Sequence, residues 1–226
     1  MTAQTPVAPG YDPAPPRGHR VRLGRGIELR ARPASRLGGR MNEQAPRTYP
    51  DMWVDPEHDP REKIETSAGE KAVLAEYLDR YRMTLEMKCE GLDAEQMAQR
   101  SVPPSTMSLL GLVRHLAKVE HHWFRRWLEG DSDLPRLYRT EEDRDLDFNG
   151  AVPDDAVVAD AWESWHREVA HAREVYAGID DLGARVGLGD ESGEVRDIVV
   201  HMIEEYARHV GHADFLRERI DGRTGQ

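Results

Sequence analysis

Four stretches of this chain repeat apolar residues at steps of three and four, and each is bounded by glycine or proline, a pattern that packed helices satisfy. The first runs from about Ala68 to Gly91, where Val73, Leu74, Tyr77, Tyr81, Leu85 and Met87 form the stripe. The second spans about Ser108 to Glu129, behind Pro103, Pro104 and a Ser105/Thr106 cap, and Gly130 ends it. The third begins at Asp154 or Asp155 after Pro153 and reaches Ala177 before Gly178. The fourth extends from Val195 to Ile220, with Gly222 as its stop. No segment alternates as a half-buried strand would. Residues 131–153 form a long acidic connection carrying Asp143, Asp145 and Asp147, of a length often seen in lids. The expected fold is all-α, a four-helix bundle with one long loop between helices 2 and 3.

Composition narrows the setting. Of 226 residues, 38% are hydrophobic and 32% charged, the balance of a soluble domain with a sizeable core. No run approaches the roughly 20 apolar residues that span a bilayer, and the N-terminus lacks the apolar region of a secretory signal. Cys89 is the single cysteine, so an internal disulfide is excluded. The expectation is a cytoplasmic protein that engages no membrane. Residues 1–40 carry eight Arg against only Asp12 and Glu28, yet the chain as a whole has 31 basic and 42 acidic groups and a formal charge of −11. The acidic remainder would repel a phosphate backbone, which argues against nucleic-acid binding. Residues 1–47 are expected to be a disordered Arg/Pro-rich tail, with Met41 the true start of translation, and residues 48–222 to be the bundle. Removing residues 1–40 should then leave folding and activity intact.

The histidines are placed unevenly. In HMIEEYARHVGH, His201, Glu205, His209 and His212 follow at spacings of four, four and three, which gathers them on one side of a helix. The apolar stripe of that helix runs through Val199, Met202, Ile203, Tyr206, Val210 and Ala213, with His209 and Glu205 at its edge and His201 and His212 further out. In the second helix His115 shares the face of Leu109, Leu112, Leu116, Val119 and Trp123, and His122 follows two turns later. An imidazole facing a bundle interior needs a partner for its ring nitrogens. A hydrogen-bonded core histidine satisfies that need, and so does a divalent ion shared with the fourth helix; spacing leaves both open. His58, His121, His166 and His171 read as solvated or rim residues. Of the five tryptophans, 53, 123, 127, 162 and 165, Trp53 is expected to lie across the body, while Trp123 and Trp162 are expected in the core. Cys89 reads as a small core residue, and Tyr206 points too far into its stripe for a catalytic role.

The strings SLLGLVRHLAKVEHHWFRRWLEG and VHMIEEYARHVGHADFLRERIDG, with MTLEMKCEGLDAEQMAQRSVPPSTMSLLGLVRH before them, resemble the DinB-like superfamily, and more closely its actinobacterial branch known as mini-circle protein. The resemblance covers roughly residues 50–222. It implies a four-helix bundle holding a divalent cation, through one ligand from the second helix and two, four residues apart, from the fourth. By position these are His115, Glu205 and His209, where Glu205 departs from the commoner all-histidine pattern. The implied metal is Zn or Ni. Some relatives are S-transferases or isomerases that use mycothiol or bacillithiol. By that resemblance the expected function is metal-dependent transfer of a mycothiol-type thiol to a small electrophile, with His201 and His212 handling protons. The alternatives are a non-catalytic metal-binding or stress-related bundle, and a structural bundle that dimerises without metal. A homodimer is compatible with all three.

Overall fold

The computed structural model of the chain describes residues 49, 51–64 and 68–226, and the tail expected at residues 1–47 lies outside them. In chain order the helices are α1 (Glu70–Cys89), α2 (Ala94–Ala98), α3 (Leu109–Glu120), α4 (Leu146–Asn149), α5 (Asp155–Ala177) and α6 (Val195–Asp221). The four long ones, α1, α3, α5 and α6, stand where the apolar stripes put them. Local chemistry sets their ends. Ser108 Oγ accepts from the Gly111 N–H at 3.1 Å and so caps α3, a role expected of Ser105/Thr106 three residues earlier. Asp154 caps α5 through the Ala156 N–H at 2.8 Å. Gly222 closes α6 with φ 78°, a left-handed turn that glycine enters without strain, and its N–H returns to Glu218 O at 3.0 Å.

α1 packs along α6 and α3 along α5, while α3 also meets α6, so the inner faces of all four enclose one core. Leu85, Leu109, Leu112, Leu116, Met202 and Tyr206 are fully buried there. Each such aliphatic side chain contributes on the order of 1.5–3 kcal/mol by leaving water. The segment before α1 is tied across the body as expected of Trp53: this residue is 1% exposed, with Arg223 above its ring at 3.5 Å and Lys88 at 4.0 Å. Backbone bonds between Trp53 N and Gln226 O, and between Gln226 N and Asp51 O, join the two ends of the described chain.

Several features depart from the sequence reading. A short antiparallel hairpin, β1 (Arg185–Leu188) and β2 (Glu191–Glu194), lies between α5 and α6. Four-residue strands on the surface, with Glu191 and Ser192 opposite Leu188 and Gly187, carry no alternation to detect. The second departure lies in the second long helix. After Glu120 it continues as a π-helical segment, His121–Leu128, and the wider turn shifts the phase of every side chain beyond it. Phe124 and Trp127 are buried as a result, while Trp123, expected in the core, is only half-buried at its edge. His121, expected at a solvated rim, is turned inward to 8% exposure. It contacts Pro135 O through Nε2 at 2.9 Å and Glu168 through Nδ1 at 3.4 Å. In α5, Trp165 takes the core position expected of Trp162, which is half-buried beside it at 5.5 Å.

A charged group also sits in the centre of the bundle. Arg82 of α1 makes a two-pronged bond to Glu120 of α3, both contacts 2.8 Å. Tyr206 Oη donates to the same carboxylate at 2.7 Å and accepts from Trp165 Nε1 at 2.9 Å. All four residues are at most 3% exposed. A buried charge persists only when paired and hydrogen-bonded, and this net meets that requirement with one residue from each long helix.

Candidate metal centre

α3 and α6 lie side by side, and each turns part of its inner edge toward one point. From α3 comes His115; from α6 come Glu205 and His209, one turn apart. His209 Nε2 lies 3.3 Å and His115 Nε2 3.8 Å from Glu205 Oε2, and the two imidazole centroids are 4.6 Å apart. One ligand atom from each residue falls within 4.8 Å of the others. Donors bonded to a common Zn-like ion at about 2.0–2.2 Å lie roughly 3–4 Å from one another, so the donor set fits a divalent cation in kind, and the two separations from Glu205 fit it in spacing. The side chains are 21%, 27% and 11% exposed in the order His115, Glu205, His209, which leaves a side open for a further ligand.

The long connection after α3 backs this cluster. Its short helix α4 places Asp147, 1% exposed, so that Oδ2 meets His115 Nδ1 at 2.8 Å. A carboxylate on one ring nitrogen fixes the tautomer and aims the other at the cluster. Three residues of α3 clamp α4 in place. Arg114 donates to the carbonyls of Asp147 and Leu146 at 3.0 and 3.1 Å, His115 holds the Asp147 carboxylate, and Lys118 Nζ reaches Asp147 Oδ2 and Arg144 O at 3.0 Å each. Phe148 stacks on the His115 ring with centroids 5.2 Å apart. It gets that close because residue 111 is glycine: a Cβ there would stand 2.8 Å from Phe148 Cδ1.

Charge is distributed to match. Burial pushes the His115 pKa down, but the Asp147 bond and then Glu205 outweigh it and hold the ring above its ordinary value. The facing imidazoles of His115 and His209 hold the Glu205 carboxyl well below the usual range, against the opposing effect of burial. Burial would raise Asp147, yet its bonds to His115 and Lys118 keep it low. Both shifts favour the charged forms, Glu205 as carboxylate and His115 as imidazolium, and a cation bound there would compete with the imidazole proton.

The remaining histidines sort by position. His201 Nε2 is 3.5 Å from Glu205 Oε1, its side chain 39% exposed and its ring edge-on to Trp123 at 4.7 Å. His212 lies behind the cluster, Nδ1 to Nδ1 with His209 at 3.4 Å, and burial together with His209 and Arg208 lowers its pKa. His58 and His166 are exposed, and His171 sits at the rim on Glu129 at 2.7 Å. The sequence marks the acidic loop without distinguishing Asp147 within it; the i, i+3 pair His115 and Lys118, facing a loop carboxylate, is the signal it carries. Cys89 is buried, its thiol pushed up to about 12 by that burial, so it is no nucleophile. A cavity of about 500 Å³, lined by α1, α5, Phe124 and Val199, includes none of the cluster residues. No helix among the described residues is long and apolar enough to cross a membrane. Residues 73–222 match the family described as mycothiol-S-transferase, and no curated protein matches the chain.

Proposed function

The chain belongs to the mycothiol-S-transferase family, within the DinB-like metal-binding superfamily, and from that premise we propose that it is a divalent-metal-dependent enzyme transferring a mycothiol-type thiol to small electrophiles. The observation that carries the reading is the convergence of His115, Glu205 and His209 within 4.8 Å, with Asp147 aiming His115 from behind. His115, Glu205 and His209 are the proposed ligands of Zn or Ni, a donor set of two imidazoles and one carboxylate that suits either. When bound, such an ion stabilises the thiolate form of an incoming thiol, and thiolate is the nucleophile.

The chain's own residues supply the rest. His201, half-exposed and 3.5 Å from Glu205 Oε1, would take the thiol proton. His212 acts through His209: by holding Nδ1 it leaves Nε2 directed at Glu205, which makes it a positioning residue. The thiolate sulfur forms a bond to the electrophilic carbon as a halide leaves, or as an epoxide C–O bond opens and its oxygen takes up the proton. The setting that fits this chemistry is the cytoplasm, where a low-molecular-weight thiol is kept reduced.

The test is thiol conjugation by the metal-loaded protein, with mycothiol and a panel of haloaromatic, epoxide and bimane electrophiles. Turnover above the metal-free control, lost on chelation and in Glu205→Ala, is the expected result. No turnover across the panel, with metal bound at one equivalent, would leave a non-catalytic metal-binding bundle.

A further inference from the structure

A second cavity, about 100 Å³, opens between the end of the second long helix and the first part of the loop that carries Asp147. Lys118, His122, Trp123, Arg126 and Arg136 line it. That is three cationic side chains in a chain whose formal charge is −11, and Arg139 and Arg144 stand near enough to Arg136 to lower its pKa further, below the effect of burial. Asp147 on Lys118 and Glu141 near Arg136 offset part of this crowding, and the remainder is costly without a further anion. The donors are also incompletely used. Arg126 is 7% exposed and spends one Nη on Leu134 O, yet its buried Nε has no partner; His122 Nδ1 is likewise buried and unpartnered. Among the described residues Arg136 makes no hydrogen bond or ion pair. Buried polar atoms are ordinarily satisfied, and those left over call for a water, an ion or a bound group beside them.

The position ties this pocket to the metal centre. Lys118, on its wall, bonds the same Asp147 oxygen that holds His115. Trp123, which also lines it, packs on His201. His122 lies seven residues, or about 10 Å of helix, beyond His115. The volume suits one anionic group and not a whole ligand.

We propose that this pocket binds a carboxylate or similar anion carried by the electrophile, so that the substrates of this chain are small anionic electrophiles. The inference rests on the transferase reading for its account of which molecule bears the anion. A single charge-assisted set of hydrogen bonds of this kind separates an anionic from a neutral ligand by roughly tenfold or more.

The probes are 4-chloro-3-nitrobenzoate and its methyl ester, which differ in charge and share the reactive ring. Quenching of the intrinsic tryptophan fluorescence, to which Trp123 at the pocket contributes, reads binding without turnover, on the full chain with and without Zn. The expected result is that the acid binds at least about tenfold more tightly than the ester, and that Arg136→Gln, a substitution at an exposed position, removes most of that advantage. Equal binding of acid and ester, or an advantage that survives Arg136→Gln and His122→Ala, overturns the proposal. Inorganic phosphate is the competing arm. If phosphate displaces the acid while acid and ester are conjugated with equal kcat/KM, the pocket holds a free anion and the assignment to the electrophile is wrong. If the acid binds selectively and no thiol is ever transferred, the transferase reading fails while the anion site stands.

Discussion

Asp147 Oδ2 and His115 Nδ1 stand 2.8 Å apart, a single contact that couples the loop between the second and third long helices to the candidate metal centre. Asp147→Asn keeps the shape and the backbone clamp from Arg114 but removes the charge that raises His115. Loss of such an outer carboxylate ordinarily weakens metal binding about 10–100-fold. Competition against a chromophoric chelator reads it directly, with circular dichroism expected to be unchanged. An affinity within twofold of the parent would mean that Asp147 only packs.

His209→Ala should abolish binding of a stoichiometric divalent ion, whereas His166→Ala should leave it at one equivalent. His209 faces Glu205 at 3.3 Å with its side chain 11% exposed. His166 is 58% exposed and bonds Glu86 on the far surface. Elemental analysis of untagged protein after reconstitution distinguishes them, and equal loss in both variants would move the site elsewhere.

The pKa directions fix a pH dependence. His115 is raised above 6.5 in the folded chain, so its share of stability is complete below that value and is lost as pH climbs through the folded pKa. Glu205 is depressed below 4.5, so its share is complete above that value and is lost as pH falls through the folded pKa. Without metal, the cluster therefore stabilises the fold most between about pH 4.5 and 6.5. With metal the order reverses on the alkaline side, because the ion no longer competes with a proton. The rise in Tm on adding Zn should thus grow steadily from pH 5.5 to pH 8. A constant or shrinking increment would show that His115 is not where the cation binds.

Gly111→Ala tests how the loop reaches the centre. The added methyl would sit 2.8 Å from Phe148 Cδ1 and 3.2 Å from Ser108 Oγ, so α4 must move or the cap must open. Overpacking of this kind costs about 1–3 kcal/mol, partly offset by the roughly 1 kcal/mol by which alanine favours a helix. A small net loss in urea unfolding is expected, accompanied by a several-fold weaker metal affinity as Asp147 is drawn off His115. Unchanged affinity would uncouple α4 from the site.

How much of this was legible beforehand depends on the range of the interaction. The long helices and the meeting of His115 with Glu205 and His209 follow from period and from family resemblance, both of which are carried within single helices. The π turn was not legible: His121–Leu128 keeps a helical composition, and only packing decides that Phe124 points inward while Trp123 does not. The burial of His121 against Glu168 is a consequence of that phase shift. Asp147 was visible as one of three acidic loop residues, but which of Asp143, Asp145 and Asp147 turns inward depends on the clamp that Arg114 and Lys118 build. The hairpin was hidden for the opposite reason, having too few residues and too little burial to leave a pattern.

The buried net of Arg82, Glu120, Tyr206 and Trp165 offers the sharpest separation of stability from function. Glu120→Ala would strand the Arg82 guanidinium, which burial disfavours and Glu120 holds charged, in the middle of the bundle. Removing one partner of such a pair costs about 3–5 kcal/mol. Tyr206→Phe deletes two bonds, the one it donates to Glu120 at 2.7 Å and the one it accepts from Trp165 Nε1 at 2.9 Å, and should cost about 2–4 kcal/mol. The double variant should lose less than the sum, because both act on one carboxylate. Tyr206 is the neighbour of Glu205 in sequence but faces the core, so Tyr206→Phe should leave metal affinity within about threefold of the parent while urea unfolding shows the full destabilisation. A large fall in affinity at unchanged stability would place the Tyr206 hydroxyl in the chemistry instead of the scaffold.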